Sequence, residues 1–181
     1  MDRYIFDDKP RKGLKAFIAD LVRPLRDLFR RIRRKPYLYF ISEPHGAVEK
    51  DERFVQIETW PAFYTFAKGR KFPVYRWQYD RFRLDDTVLF VALATNDAVL
   101  SYGWVTMKDR SLLEGHDIKR SPILFDFETP VEHRRKGYYT LLLKQLRNCM
   151  GGIIYALPDN RPSVCAIKSA GFAQYWPEPH L

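Results

Sequence analysis

The stretch ILFDFETPVEHRRKGYY, residues 123–139, decides how this chain folds. It begins as an apolar strand, ILFDFE, and runs into a tight loop that holds Arg134, Arg135, Lys136 and Gly137 in succession. A helix from Tyr138 to about Cys149 is predicted to follow at once. The order of strand, donor-rich loop and helix N-terminus is what a polypeptide needs to hold a pyrophosphate. Backbone N–H groups at a helix start point outward unpaired, and the helix dipole favours negative charge there. Gly137 lets the backbone come close to an anion, and successive amides can form a concave nest. Taken by itself the loop also reads as an ordinary solvated basic turn.

The next segment narrows the choice. GIIYALP, residues 152–158, reads as a buried strand, residues 160–170 as a short helix, and Gly171-Phe172 follows. Here the chain resembles the GNAT superfamily, the acetyl-CoA-dependent N-acyltransferases. Its pyrophosphate motif, Arg/Gln-x-x-Gly-x-Gly/Ala, falls on Arg134, Gly137 and Tyr139. Its next block is a strand, an Asn, a small residue three further on and a Gly-Phe pair. Asn160, Ser163, Gly171 and Phe172 match that spacing. The matched region runs over residues 124–172, about a quarter of the chain.

The resemblance implies a fold, a cofactor and a reaction. The fold is mixed α/β, with a central, mostly antiparallel sheet flanked by helices. Two parallel strands, holding Phe125 and Ile154, splay apart at the cofactor. The cofactor is acetyl-CoA, and the reaction is acetyl transfer to a neutral primary amine. The backbone of Arg134, Arg135, Lys136 and Gly137 is expected to take the pyrophosphate, with Tyr138 and Tyr139 opening the helix beneath it. Phe127, Thr129 and Val131 are expected to pair with the pantetheine arm like an added strand. Pro130 cannot donate there, which suits an irregular exit from the strand. Asn160 either bonds the pantetheine or fixes its own helix start, and Ser163 packs near the cofactor. Two positions depart from the pattern. Tyr139 replaces a small residue, so its ring must turn aside. Ile167 stands where many members place a Tyr that protonates the leaving thiolate, so that role is moved elsewhere or left to water.

The reaction also needs a base. Asp126 and Glu128 alternate with Phe125 and Phe127, which predicts that both acids point to one face of the strand. Each is a candidate base or an anchor for a cationic amine, with Glu128 favoured. The competing reading is a solvated face or a local ion pair with an Arg. His133 and His116 are weaker candidates. Tyr155, Ser163 and Ser169 are the hydroxyls near enough in sequence to be considered as acids.

At 181 residues with 46% apolar content the chain fits one globular domain with a real core. No metal-type spacing of Cys and His is present. The two cysteines, Cys149 and Cys165, flank the strand at 152–158 and are expected to be reduced thiols in or near the core, as in a reducing cytosol. No secretory signal is read, and no apolar run approaches the ~20 residues of a membrane span. Of the net charge of +9, most lies in residues 1–36, which hold twelve Lys and Arg against five acids. Residues 12–34 carry a helical apolar period interrupted by Pro24, with arginines mostly off the stripe. That stripe can pack on its own domain or on a partner subunit, a homodimer included. It can also lie at the inner face of an anionic membrane. Nucleic acid is not expected, because no recognised module is present. The domain plan is therefore a basic extension, 1–36, and an acyltransferase domain, 37–181.

Elsewhere residues 37–41 and 54–58 read as strands, and residues 60–68 as a helix with Pro61 in its first turn. Residues 70–83 fit helix or strand equally. Residues 88–94 and 99–107 read as a strand pair across Asn96-Asp97. The function expected is an acetyl-CoA-dependent N-acetyltransferase of a small amine, with an amino sugar of surface polysaccharide synthesis as the favoured acceptor. The alternatives are a protein or peptide N-acetyltransferase, and a non-catalytic module that binds CoA or a partner.

Overall fold

A computed structural model describes residues 37–46, 50–107 and 121–175. The basic extension, with the helix expected in it, and His116 lie outside the described residues. In chain order the elements are β1 (Leu38–Ser42), β2 (Phe54–Ile57), α1 (Trp60–Gly69), α2 (Arg76–Leu84), β3 (Leu89–Ala94), β4 (Val99–Thr106), β5 (Ile123–Glu128), α3 (Tyr138–Cys149), β6 (Gly152–Ala156), α4 (Arg161–Ser169) and β7 (Ala173–Tyr175). One seven-stranded sheet runs β2-β3-β4-β5-β6-β1-β7. Every neighbouring pair is antiparallel except β5 and β6. This is the mixed α/β architecture that the GNAT resemblance implies.

The sequence of β3, LFVALA, has no polar residue because helices cover both of its faces. Phe90 and Ala92 pack into an aromatic cluster with Trp60, Phe63 and Phe66 of α1 and Trp104 of β4. Val91 and Leu93 face the other way, into a second cluster with Leu142, Leu143 and Leu146 of α3 and Ile167 of α4. Trp104, Phe63 and Phe90 have no solvent exposure, and burying a side chain of that kind stabilises by ~2–3 kcal/mol. The result is three layers, with α1 and α2 on one side of the sheet and α3 and α4 on the other.

Residues 76–84 resolve as helix. The buried Gln78 reaches back to accept a hydrogen bond from the Tyr75 N–H at 2.7 Å, which closes the helix start. Tyr79 and Phe82, three apart, meet Trp60. Trp77 and Arg81, four apart, form a cation–π pair at 4.6 Å. Residues 76–84, which fit helix or strand equally in sequence, are therefore a helix whose i, i+3 and i+4 neighbours meet.

The cysteines correct an expectation. Both Cys149 and Cys165 are exposed. Cys165 sits two residues from the buried Ile167, which places it on the opposite side of α4, and Cys149 is in the last turn of α3. No helix among the described residues is long and apolar enough to cross a membrane.

Two irregularities shape the site. The parallel pairing of β5 with β6 consists of Ile123 with Ile153 and Leu124 with Ile154, and stops there. Beyond Leu124 the strands part. On its other edge β5 carries a bulge: Tyr102 pairs with Glu128 and Trp104 with Phe125, so Gly103 faces both Asp126 and Phe127. Asp126 takes a φ of +50°, which sharpens the turn of the strand. Gly103 is required at this point, because a Cβ there would overlap the Phe127 ring.

Candidate functional site

After β5 the chain makes a single 3-10 turn, Val131–His133, and enters the basic loop. φ is positive at Arg135 (+62°) and at Gly137 (+77°), so backbone handedness alternates along 135–138. Alternation of this kind turns successive N–H groups into one concavity. The first intrahelical bond of α3 runs from the Leu141 N–H to the Gly137 carbonyl at 3.0 Å. Among the described residues, the six backbone N–H groups of residues 135–140 have no protein acceptor. Space above Gly137 is open, with no atom within 4 Å of where a Cβ would stand. An anion can therefore approach the amides directly, and the positive end of a 12-residue helix lies behind them. Arg134 folds back, and its Nε donates to the Thr129 carbonyl at 3.0 Å, which ties the loop to the end of β5.

The amides open onto a cleft of about 590 Å³. One wall is the end of β5, with Phe127, Glu128 and Thr129, and the floor is Gly137, Tyr138 and Tyr139. The far wall is the first turn of α4, with Asn160 and Ser163, and Arg134 and Arg135 line the mouth. The structure thus brings together most of the residues expected to hold a cofactor. Val131 (72% exposed) and Lys136 do not line the cleft. His133 does, with its ring edge-on to Tyr138 at 6.2 Å. Asn160 caps α4, its Oδ1 accepting from the Ser163 N–H at 3.4 Å, so its side chain serves the helix start.

A second, smaller cavity of about 170 Å³ fills the gap where β5 and β6 part. Phe125, Asp126 and Phe127 form one side, and Tyr155, Ala156 and Leu157 the other. Ile167, at the position where the resemblance implies an acidic Tyr, is fully buried and offers this gap nothing polar. Tyr155 lines the gap, whereas Ser169 lines neither cavity. Tyr139 lines both cavities. Its ring turns aside against Phe127, with centroids 5.7 Å apart, and its hydroxyl lies 3.2 Å from that of Ser163. Burial pushes the Tyr139 phenol up to about 12, while the Ser163 bond acts weakly the other way.

The two acids of β5 differ in their partners. Asp126 is ion-paired with Arg81 of α2. Arg81 is itself held over the faces of Trp77, Trp104 and Phe125, at 4.6 to 4.9 Å. Glu128 accepts a hydrogen bond from the Tyr102 hydroxyl at 2.6 Å. Burial, and next the bond to Glu128, hold the Tyr102 phenol above its ordinary range. Both acids therefore bond groups of the aromatic layer, but not through simple alternation. Phe125 packs in the aromatic cluster and Phe127 in the opposite one, because the bulge at Asp126 resets the strand's phase. Sequence reasoning missed Tyr102, Arg81 and Gly103. A glycine inside the apolar strand 99–106 was the available signal, since it marks a bulge or a close approach.

No protein-family model matches the chain, and no curated protein matches it in sequence. Among solved structures it is similar to a GNAT-family acetyltransferase from Colwellia psychrerythraea, with 18% identity and a TM-score of 0.46 over 76% of this chain and 52% of that one. It is similar to a GNAT-family protein from Novosphingobium aromaticivorans, with 13% identity and a TM-score of 0.48 over 78% and 60%. A tandem GNAT protein from the clavulanic acid biosynthesis pathway, solved without AcCoA, gives 11% identity and a TM-score of 0.41 over 84% and 56%. The chain spans between half and three-fifths of the length of these structures. At such identities the likeness is one of fold alone.

Proposed function

We propose that the chain is an acetyl-CoA-dependent N-acetyltransferase that acts on a primary amine. The observation that carries this reading is the run of six open backbone amides at 135–140, placed in a cleft that adjoins the gap between β5 and β6. Acetyl-CoA, when bound, supplies the acetyl group as an activated thioester.

The chain's own residues divide the work. The amides of residues 135–140 would hold the pyrophosphate, with Arg135 adding charge at the mouth. The edge of β5 beyond Leu124 has no strand partner on the β6 side, so its backbone can take an extended arm as an added strand. Glu128 is the favoured base. The Tyr102 hydroxyl holds one carboxylate oxygen at 2.6 Å, and the carboxylate lines the cleft, where it would meet an incoming amine. Asp126 is occupied by Arg81 and serves to fix the bulge. For the leaving group, Tyr139 and Tyr155 are the hydroxyls that line the gap in place of Ile167.

For the acceptor, we favour an amino sugar used in surface polysaccharide synthesis, met in the cytosol or at the inner membrane face. Trp77 is 42% exposed and stacks with Tyr75, and such aromatic surfaces suit pyranose rings. The buried Ile167 favours one further reading, a non-catalytic module that binds CoA. A screen of amino sugars, polyamines and peptides with acetyl-CoA separates these readings. Turnover of amino sugars supports the first. Turnover of peptides alone overturns the sugar acceptor, and binding without turnover of any amine supports the module.

A further inference from the structure

The cleft and the gap share four residues, Phe127, Tyr139, Asn160 and Ser163, which therefore form the boundary between them. Tyr139 spans that boundary. It rises from the first turn of α3, rests its ring on Phe127 of the β5 wall and meets the Ser163 hydroxyl on α4. Ser163 is fixed in turn by its backbone bond to the Asn160 cap. One side chain thus ties the two walls together between the amides and the gap.

We propose that the Tyr139–Ser163 bridge is a specificity-determining element of the cleft, dividing the part that takes a nucleotide diphosphate from the part that takes an acylated arm. The inference rests on the acetyl-CoA reading above. A ligand whose pyrophosphate sits on the amides of residues 135–140 and whose thioester sits between β5 and β6 is continuous, so its arm must cross the boundary. Crossing requires the bridge to open, at the expense of one hydroxyl–hydroxyl bond. A ligand that carries only the nucleotide end leaves the bridge closed. The bridge therefore lowers affinity for the whole ligand relative to its nucleotide end. A small residue at position 139 would impose no such penalty.

Calorimetric titration of the full chain tests this with acetyl-CoA and with 3′-phospho-ADP, its nucleotide end. Tyr139→Phe and Ser163→Ala each remove the bridge and keep the backbone amides and the Asn160 cap. Each is expected to raise the ratio of acetyl-CoA to 3′-phospho-ADP affinity by about five-fold, the equivalent of ~1 kcal/mol. The double variant is expected to go no further, because both substitutions remove the same bond. A ratio that is unchanged or lower in either single variant, with 3′-phospho-ADP still bound, overturns the bridge alone. Failure of the wild type to bind either ligand overturns the acetyl-CoA reading and the bridge with it.

Discussion

The Tyr102 hydroxyl donates to the Glu128 carboxylate at 2.6 Å, and the pair is brought together by the bulge that sets Gly103 opposite Asp126 and Phe127. Asp126, two residues earlier, is held instead by the Arg81 guanidinium. One strand thus presents two carboxylates in different states, one engaged by a cation and one by a neutral donor. Their different partners suit them to different tasks.

Glu128→Gln is expected to lower kcat by about 100-fold or more, the usual scale for loss of a general base. Asp126→Asn is expected to lower kcat far less, and to lower stability by under ~1 kcal/mol, because the ion pair is partly exposed. Steady-state rates with a turned-over amine, beside urea unfolding of both variants, check the division. Equal losses of kcat in the two would contradict it.

Gly103→Ala is expected to destabilise by ~1–3 kcal/mol, since its Cβ meets the Phe127 ring in a packed sheet. Thermal or urea unfolding measures the loss. Phe127→Leu in the same chain should return part of it, giving a non-additive pair. Additive losses would place the strain elsewhere.

Alkaline stability follows from the two raised phenols. Tyr139 is pushed up to about 12 and Tyr102 is raised as well, against ~10 for a tyrosine in water. A group whose folded pKa is raised contributes stability that is complete below the unfolded pKa and is lost as pH rises through the folded one. The urea midpoint is therefore expected to fall between pH ~10 and ~12. Tyr139→Phe should make that fall shallower. An identical slope in the variant would contradict burial of this phenol.

Acid behaviour has the opposite sign at Asp51. Hydrogen bonds from the Arg53 side chain, at 2.7 and 2.9 Å, hold its carboxyl below the ordinary range against the effect of burial. The stability this gives is present above pH ~4 and is lost as pH falls through the lowered value. Asp51→Asn is expected to flatten the acid limb of the midpoint-against-pH curve, and an unchanged limb would show that the Asp51–Arg53 pair does not set it.

The basic loop and the helix start behind it were legible in the sequence because they are local. A strand, Arg134 to Gly137 and a helix start lie within a few residues of one another, and each carries its own propensity. The β3–β4 pair was legible for the same reason. The bulge was not. Strict alternation put Phe125 and Phe127 on one face, and only the long-range pairing with β4 shows the added residue at Asp126. Placement of β1 between β6 and β7 is likewise a pairing of segments more than 100 residues apart, which no local pattern encodes. Arg81 and Tyr102 were missed because their roles depend on which strand and helix meet. Residues 76–84 hid their helix because a buried Gln78, reaching back to Tyr75, sets the start.

The most direct test of the central claim is calorimetric titration of the folded wild type with acetyl-CoA, beside Gly137→Trp, which fills the open space above the amides and strains a φ of +77°. Saturable binding to the wild type, lost in a variant that circular dichroism shows to be folded, is the predicted result. Absence of binding to the folded wild type, or equal binding by the variant, would contradict the assignment of residues 135–140 as the pyrophosphate site.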